Sequence, residues 1–147
     1  MIMDFQTPPN VCDYMVSLLP AGVETVLEPT PGIGNLVRAL KDYKVTAPVN
    51  FWDVSGTFHA VCMNPPFTPM PEGYKILYKV MEMTDVIIAL MPWLTIINSQ
   101  RRTSDIKEYG LKSITHLPRD IFKGSRVQTC ILQMIKGYNG FREIRFF

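Results

Sequence analysis

The sequence predicts an α/β fold, an open and mostly parallel sheet with a late antiparallel hairpin, and three observations carry that prediction. Short runs rich in Val and Ile alternate with stretches of helical spacing as far as Gly110. Two of those runs stop at loop-forming residues, one at Glu28 and one at Asn64-Pro65-Pro66, because proline cannot continue a central ladder. Beyond Gly110 the strands follow one another directly, as a hairpin requires. With 147 residues, 47% of them hydrophobic, the chain can bury one sizeable core and is read as one domain.

Each element has its own signal. After Thr7-Pro8-Pro9, Val11 to Leu19 has apolar residues near helical spacing, and Pro20-Ala21-Gly22 ends that helix. Thr25 to Leu27 reads as the first strand, running through a glycine-bearing turn into a short helix from Asn35 to Leu40. Val45 to Val49 and Ala60 to Met63 read as strands, and Tyr74 to Met83 as a helix. The Val-Ile-Ile-Ala-Leu core of Asp85 to Met91 predicts a strand buried on both faces. Ser99 to Tyr109 is a polar helix closed by Gly110, a residue type favoured where helices stop. Ser113 to Leu117 and Val127 to Ile135 are the late strands, with Phe141 to Phe147 as a terminal one. There is no internal repeat and no linker.

Composition narrows the function. A charged fraction of 19% with 11% aromatics is that of an ordinary folded protein and argues against disorder. Cys12, Cys62 and Cys130 lie far apart without a C-x-x-C pair, so neither a metal site nor a disulfide framework is expected, and a reducing cytoplasm fits. The start lacks a secretory pattern, and the longest apolar run, Val86 to Ile97, is too short to cross a bilayer. Charge is uneven: residues 1 to 99 hold 5 Lys/Arg and 9 Asp/Glu, and residues 100 to 147 hold 10 and 4. The basic half suits a polyanion such as nucleic acid, although solvated surface charges give the same count.

Two constellations could carry chemistry. In Leu27-Glu28-Pro29-Thr30-Pro31-Gly32-Ile33-Gly34, the glycines let the backbone approach a ligand and the acid can accept from a ligand's amino group. A plain structural turn would use the same glycines. In Asn64-Pro65-Pro66-Phe67, the Asn carboxamide and a proline-flanked carbonyl can both accept hydrogen bonds from one exocyclic amine, and Phe67 offers a flat face for a base. Such bonding draws the amine lone pair out of conjugation, so that nitrogen can attack an electrophilic methyl group. A rigid turn with Phe67 in the core is the alternative.

In this order, these residues resemble the N6-adenine DNA methyltransferase family, in the arrangement with the cofactor-amino-acid motif at the N-terminus. Phe5-Gln6-Thr7-Pro8-Pro9 is similar to that motif, Glu28 to Gly34 to the glycine loop, and Asn64 to Phe67 to the catalytic tetrapeptide. Met91-Pro92 and Ile121-Phe122, the latter followed by the Thr129 to Ile135 strand, also fall where the family has equivalents. The resemblance spans essentially the whole chain. It implies a Rossmann-like S-adenosylmethionine-dependent methyltransferase fold over residues 1–147, S-adenosyl-L-methionine as cofactor, and adenine in DNA as substrate.

Carried over residue by residue, the resemblance implies that Thr7, Pro8, Glu28, Pro29, Gly32 and Gly34 border the cofactor. Asn64, Pro65, Pro66 and Phe67 would be catalytic, with Asn64 and Pro66 also touching the cofactor. Phe67 would stack on the extruded base and Phe122 would touch it from another side, although core packing explains Phe122 equally well. Asp53 is similar to the acid that accepts from the cofactor's adenine amino group, or else simply forms a turn. His59 and His116 are read as structural or exposed, and Trp52 and Trp93 as core or pocket walls.

Two departures from the family pattern stand out. Only 29 residues separate Gly34 from Asn64, so at least one helix or strand is trimmed between the first and fourth strands, and Tyr43 to Trp52 supplies no acid for the ribose hydroxyls. No target-recognition domain is expected after Phe147. The expected partner is therefore DNA held weakly and with little sequence specificity, helped by a second copy or a specificity partner. The resemblance suggests a phage or bacterial protein. Methylation of a protein glutamine or an RNA base, or a non-catalytic methyltransferase-like binding module, are the alternatives.

Overall fold

A computed structural model describes residues 6–147; Phe5, the first residue of the N-terminal motif, lies outside them. In chain order the elements are α1 (Pro9–Ser17), β1 (Thr25–Leu27), α2 (Asn35–Ala39), β2 (Lys44–Thr46), β3 (Ala60–Met63), α3 (Met70–Met81), β4 (Val86–Pro92), α4 (Leu94–Ile97), α5 (Gln100–Tyr109), β5 (Leu111–His116), β6 (Thr129–Ile135) and β7 (Glu143–Phe146). The strands form one sheet in the order β2-β1-β3-β4-β6-β5-β7. Every neighbouring pair is parallel except the two made by β6, which runs against both β4 and β5. The mostly parallel sheet with a late antiparallel hairpin is thus as the sequence predicts.

Period-two alternation in β4 builds both cores. All seven residues of β4 are buried. Ile87, Ala89 and Met91 pack with Ile76, Leu77 and Val80 of α3 and Ile106 of α5. Ile88 and Leu90 belong to the opposite cluster, with Val11 and Met15 of α1 and Leu36 of α2. Each fully buried Leu or Ile contributes about 1.5–3 kcal/mol, so β4 is the main apolar anchor of the sheet. Helices on both faces are what let so apolar a strand avoid water.

Among the described residues the buried Tyr74 Oη and Thr95 Oγ1 have no hydrogen-bond partner, but the polar groups between α1 and the hairpin are matched. Gln133 of β6 accepts from Ser113 Oγ at 2.7 Å and donates to the Leu18 carbonyl at 3.2 Å, tying the end of α1 to the hairpin. Next to that pair, at the open end of the hairpin, Gly110 closes α5 with φ 137°, and a Cβ there would lie 1.9 Å from the Ile135 carbonyl oxygen. Only glycine fits that position.

Element limits depart from the expected ones for local reasons. β2 stops at Thr46 rather than Val49, since Pro48 has no N–H to extend a ladder. The helix expected from Tyr74 starts at Met70, because Pro71 falls in its first turn, where an N–H has no partner anyway. β6 starts at Thr129, and β7 is confined to Glu143–Phe146. The four-residue α4 carries no sequence signal of its own. Among the described residues no helix is long and apolar enough to cross a membrane.

Candidate active site

The topology creates a crevice before any side chain is considered. From β1 the chain crosses through α2 to β2 on one side, and then returns to place β3 on the other side of β1. That reversal leaves an opening beyond the carboxyl ends of the strands, where α/β sheets hold their ligands. Leu27 pairs with both Thr46 and Val61, so the strand ends lie close to level. A cleft of about 820 Å³ sits there, bordered by Thr7, Glu28, Pro29 and Gly32 on one side and by Asn64, Pro65, Pro66 and Phe67 on the other. Trp52, on a short 3-10 turn after β2, also lines it.

Glu28 is the buried carboxyl of this cleft. It is only 2% exposed, and its Oε1 accepts from the Thr30 N–H at 2.8 Å. Burial pushes its carboxyl up to about 8, against the opposing effect of that one hydrogen bond. No ion pair among the described residues neutralises it. A buried acid with no cation beside it favours a cationic ligand, which would restore its ionised form.

Asn64 is held by the N-terminal segment and the glycine loop together. Its Nδ2 donates to Thr7 Oγ1 at 2.8 Å, which fixes the carboxamide's orientation, and its backbone carbonyl accepts from Thr30 Oγ1 at 3.3 Å. The Thr7 carbonyl in turn accepts from Asn35 Nδ2 at 2.9 Å. Gly32 has φ 54°, and a Cβ there would approach Gln6 Oε1 to 2.7 Å, so the loop and the N-terminal segment are pressed together. Across the cleft, Gly73 of α3 lets the helix close on Pro66, whose carbonyl oxygen would lie 3.0 Å from a Cβ at that position.

Of the residues expected from sequence, Thr7, Glu28, Pro29, Gly32 and Asn64 to Phe67 meet in this one cleft. Pro8, Gly34, Asp53 and Phe122 lie outside its lining. Pro8 caps α1 and Gly34, at φ 91°, opens α2. Asp53 is exposed on the turn that carries Trp52, while Phe122 is buried in the α1 side of the core. Phe67 does both jobs, lining the cleft and packing on that core. Sequence reading placed Thr30 in the glycine loop without giving it a role, and it missed Asn35 and Gly73; of those two only Gly73 had a signal, a glycine inside a helical stretch.

Other candidate chemistry is quiet. Burial pushes the Cys12 thiol up to about 11 and raises Cys62 and Cys130 as well, so these sulfurs stay protonated and unreactive. His59 Nδ1 accepts from the Glu24 N–H at 3.0 Å, a structural role at the start of β1. No group of three or more His, Cys, Asp or Glu side chains among the described residues could hold a metal.

No family model matches the chain, and no curated protein sequence matches it. Solved structures do. A Listeria monocytogenes protein described as a class I S-adenosylmethionine-dependent methyltransferase superposes with a TM-score of 0.76 at 15% identity, over 97% of this chain and 65% of its own. A methyltransferase subunit of a type I restriction-modification system from Streptococcus thermophilus gives 0.72 at 15%, over 95% and 46%. A dimethyladenosine transferase from Plasmodium falciparum gives 0.62 at 15%, over 90% and 63%. The chain therefore has the Rossmann-like methyltransferase fold, and it spans about half to two thirds of the length of these structures.

Proposed function

We propose that residues 1–147 form a methyltransferase domain that transfers a methyl group from S-adenosylmethionine to the N6 amino group of adenine in DNA. The observation that carries the reading is the cleft itself, where an oriented Asn64-Pro65-Pro66-Phe67 faces the Glu28 and Gly32 loop. The cofactor would lie against Thr7, Glu28, Pro29 and Gly32, with Trp52 as a wall. The fit rests on charge and space: its sulfonium and amino group are cationic, Glu28 is a buried acid without a cation, and the glycine loop leaves backbone accessible.

When bound, S-adenosylmethionine supplies an electrophilic methyl group with a good leaving group. The protein's own part is positioning. Asn64 and the Pro65 carbonyl hold the adenine amine through acceptors, so the nitrogen lone pair is directed out of the ring plane. Phe67 stacks on the base, Pro66 separates base from cofactor, and the Thr7 hydroxyl keeps the Asn64 carboxamide from rotating. The amine of a paired base is inaccessible in a duplex, so the adenine must be extruded or already unpaired. The basic charge of residues 100–147 would meet DNA through its phosphates, which carry no sequence information, and specificity would come from a partner or a second copy. That one structural neighbour is a subunit of a larger system agrees with this.

Thermal unfolding with and without S-adenosylhomocysteine tests the reading. At 100 times the dissociation constant the ligand should add about 2.7 kcal/mol of stability. Calorimetry in buffers of different ionisation enthalpy should detect proton release when S-adenosylmethionine binds, because a cation beside Glu28 draws its proton off. An unshifted melt at millimolar ligand would leave the non-catalytic binding module as the better reading.

A further inference from the structure

The edge of the sheet that carries the cleft continues past Asn64. Since β4 and β5 both run against β6, and β7 runs with β5, their carboxyl ends share that edge with those of β1 and β3. Three rings succeed one another along it. Trp93, directly after β4, donates its Nε1–H to His116 Nδ1 at 3.0 Å, with ring centroids 6.0 Å apart. His116, the last residue of β5, meets Phe146, the last of β7, edge to face at 5.8 Å. Phe146 is 78% exposed, an unusual cost in apolar surface for an isolated soluble face.

Beside this row lies a hollow of about 560 Å³ lined by Trp93, Ile97, His116, Arg126 and Val127. Val127 also lines the cleft, so the two spaces adjoin. The loop over residues 117–128 adds charge of one sign: Arg119, Lys123 and Arg126 are all exposed, against one acid, Asp120. None of the three cations forms an ion pair among the described residues. A row of rings, Phe146 exposed and Trp93 and His116 half-buried, beside unpaired cations suits a single nucleic-acid strand, since bases stack on the rings and phosphates meet the cations.

We propose that this hollow holds the single-stranded DNA that flanks the target adenine, with Phe146 and Trp93 as stacking surfaces and Arg126, aided by Arg119 and Lys123, on the phosphates. The identity of the strand rests on the reading of the cleft given above; the rings and charges do not. Neither Phe146 nor Arg126 belongs to the cleft, and both are exposed, so either can be changed without touching the core.

Fluorescence anisotropy with a labelled single-stranded DNA of about 12 nucleotides, repeated at several salt concentrations, tests the proposal. Phe146→Ala should weaken binding about fivefold or more, and Arg126→Ala should weaken it and lower the salt slope by about 1. Both variants should melt and bind S-adenosylhomocysteine like the parent. Parental affinity in both variants would overturn the proposal, as would tighter binding of single-stranded RNA or of duplex DNA. Methylation of the same DNA by the parent separates the two readings. If DNA is never methylated and yet the Phe146 and Arg126 variants lose affinity, the hollow stands and the cleft reading fails; if methylation proceeds and neither loses affinity, the hollow alone fails.

Discussion

The two sides of the sheet are built on different terms. On the cleft side β1, β2 and β3 span 3, 3 and 4 residues, whereas β4, β6 and β5 on the other side span 7, 7 and 6. Short strands offer few ladder hydrogen bonds, so the cleft side is completed by side chains bonded to backbone: His59 to the start of β1, Thr30 to Asn64, Asn35 to Thr7. The long side is completed by burial. The lesson is a division of labour in which the thick antiparallel side supplies stability and leaves the thin side to hold polar groups that would otherwise be costly.

Substitutions on the two sides should therefore fail differently. The largest effect belongs to the thick side: Gly110→Ala forces a Cβ onto the Ile135 carbonyl and should cost about 4 kcal/mol or more, read as lost folding in urea titration. Next comes Asn64→Ala, which should lower turnover about 100-fold while urea stability and S-adenosylhomocysteine affinity hold, because its acceptor matters most in the transition state. A stability loss in Asn64→Ala as large as that of Gly110→Ala would collapse the contrast.

Glu28→Gln sharpens it through pH. The ordinary value of 4.5 governs the unfolded chain, and about 8 the folded one. Between them the folded state keeps a proton that the unfolded state releases, so this contribution is greatest below 4.5 and is lost as pH rises to about 8. The decline should approach about 1.4 kcal/mol per pH unit within that window. Melts at stepped pH should show a steeper fall for the parent than for Glu28→Gln; equal slopes would contradict a buried, unpaired acid. The smallest effect is Thr7→Ala, which frees the Asn64 carboxamide to rotate and should lower turnover about fivefold, with Thr7→Ser restoring it.

Much of this was legible in the residues. β4 could be read directly because a run buried on both faces needs no partner to be recognised, and the strand stops at Glu28 and Asn64 are written in prolines and glycines. The start of α3 was not legible, since Pro71, a residue that breaks helices in their interior, sits in its first turn. What could not be read was pairing across distance. Asn64 with Thr7 spans 57 positions and Trp93 with His116 spans 23, and neither leaves a local pattern.

The central claim, that this cleft methylates adenine in DNA, is tested most directly by incubating the purified chain with single-stranded DNA and S-adenosylmethionine carrying a deuterated methyl group. Digestion to nucleosides and mass spectrometry then locates the label. The account predicts labelled N6-methyldeoxyadenosine from the parent, and far less from Asn64→Ala. Label on another base, or none at all under conditions where S-adenosylmethionine demonstrably binds, would contradict it.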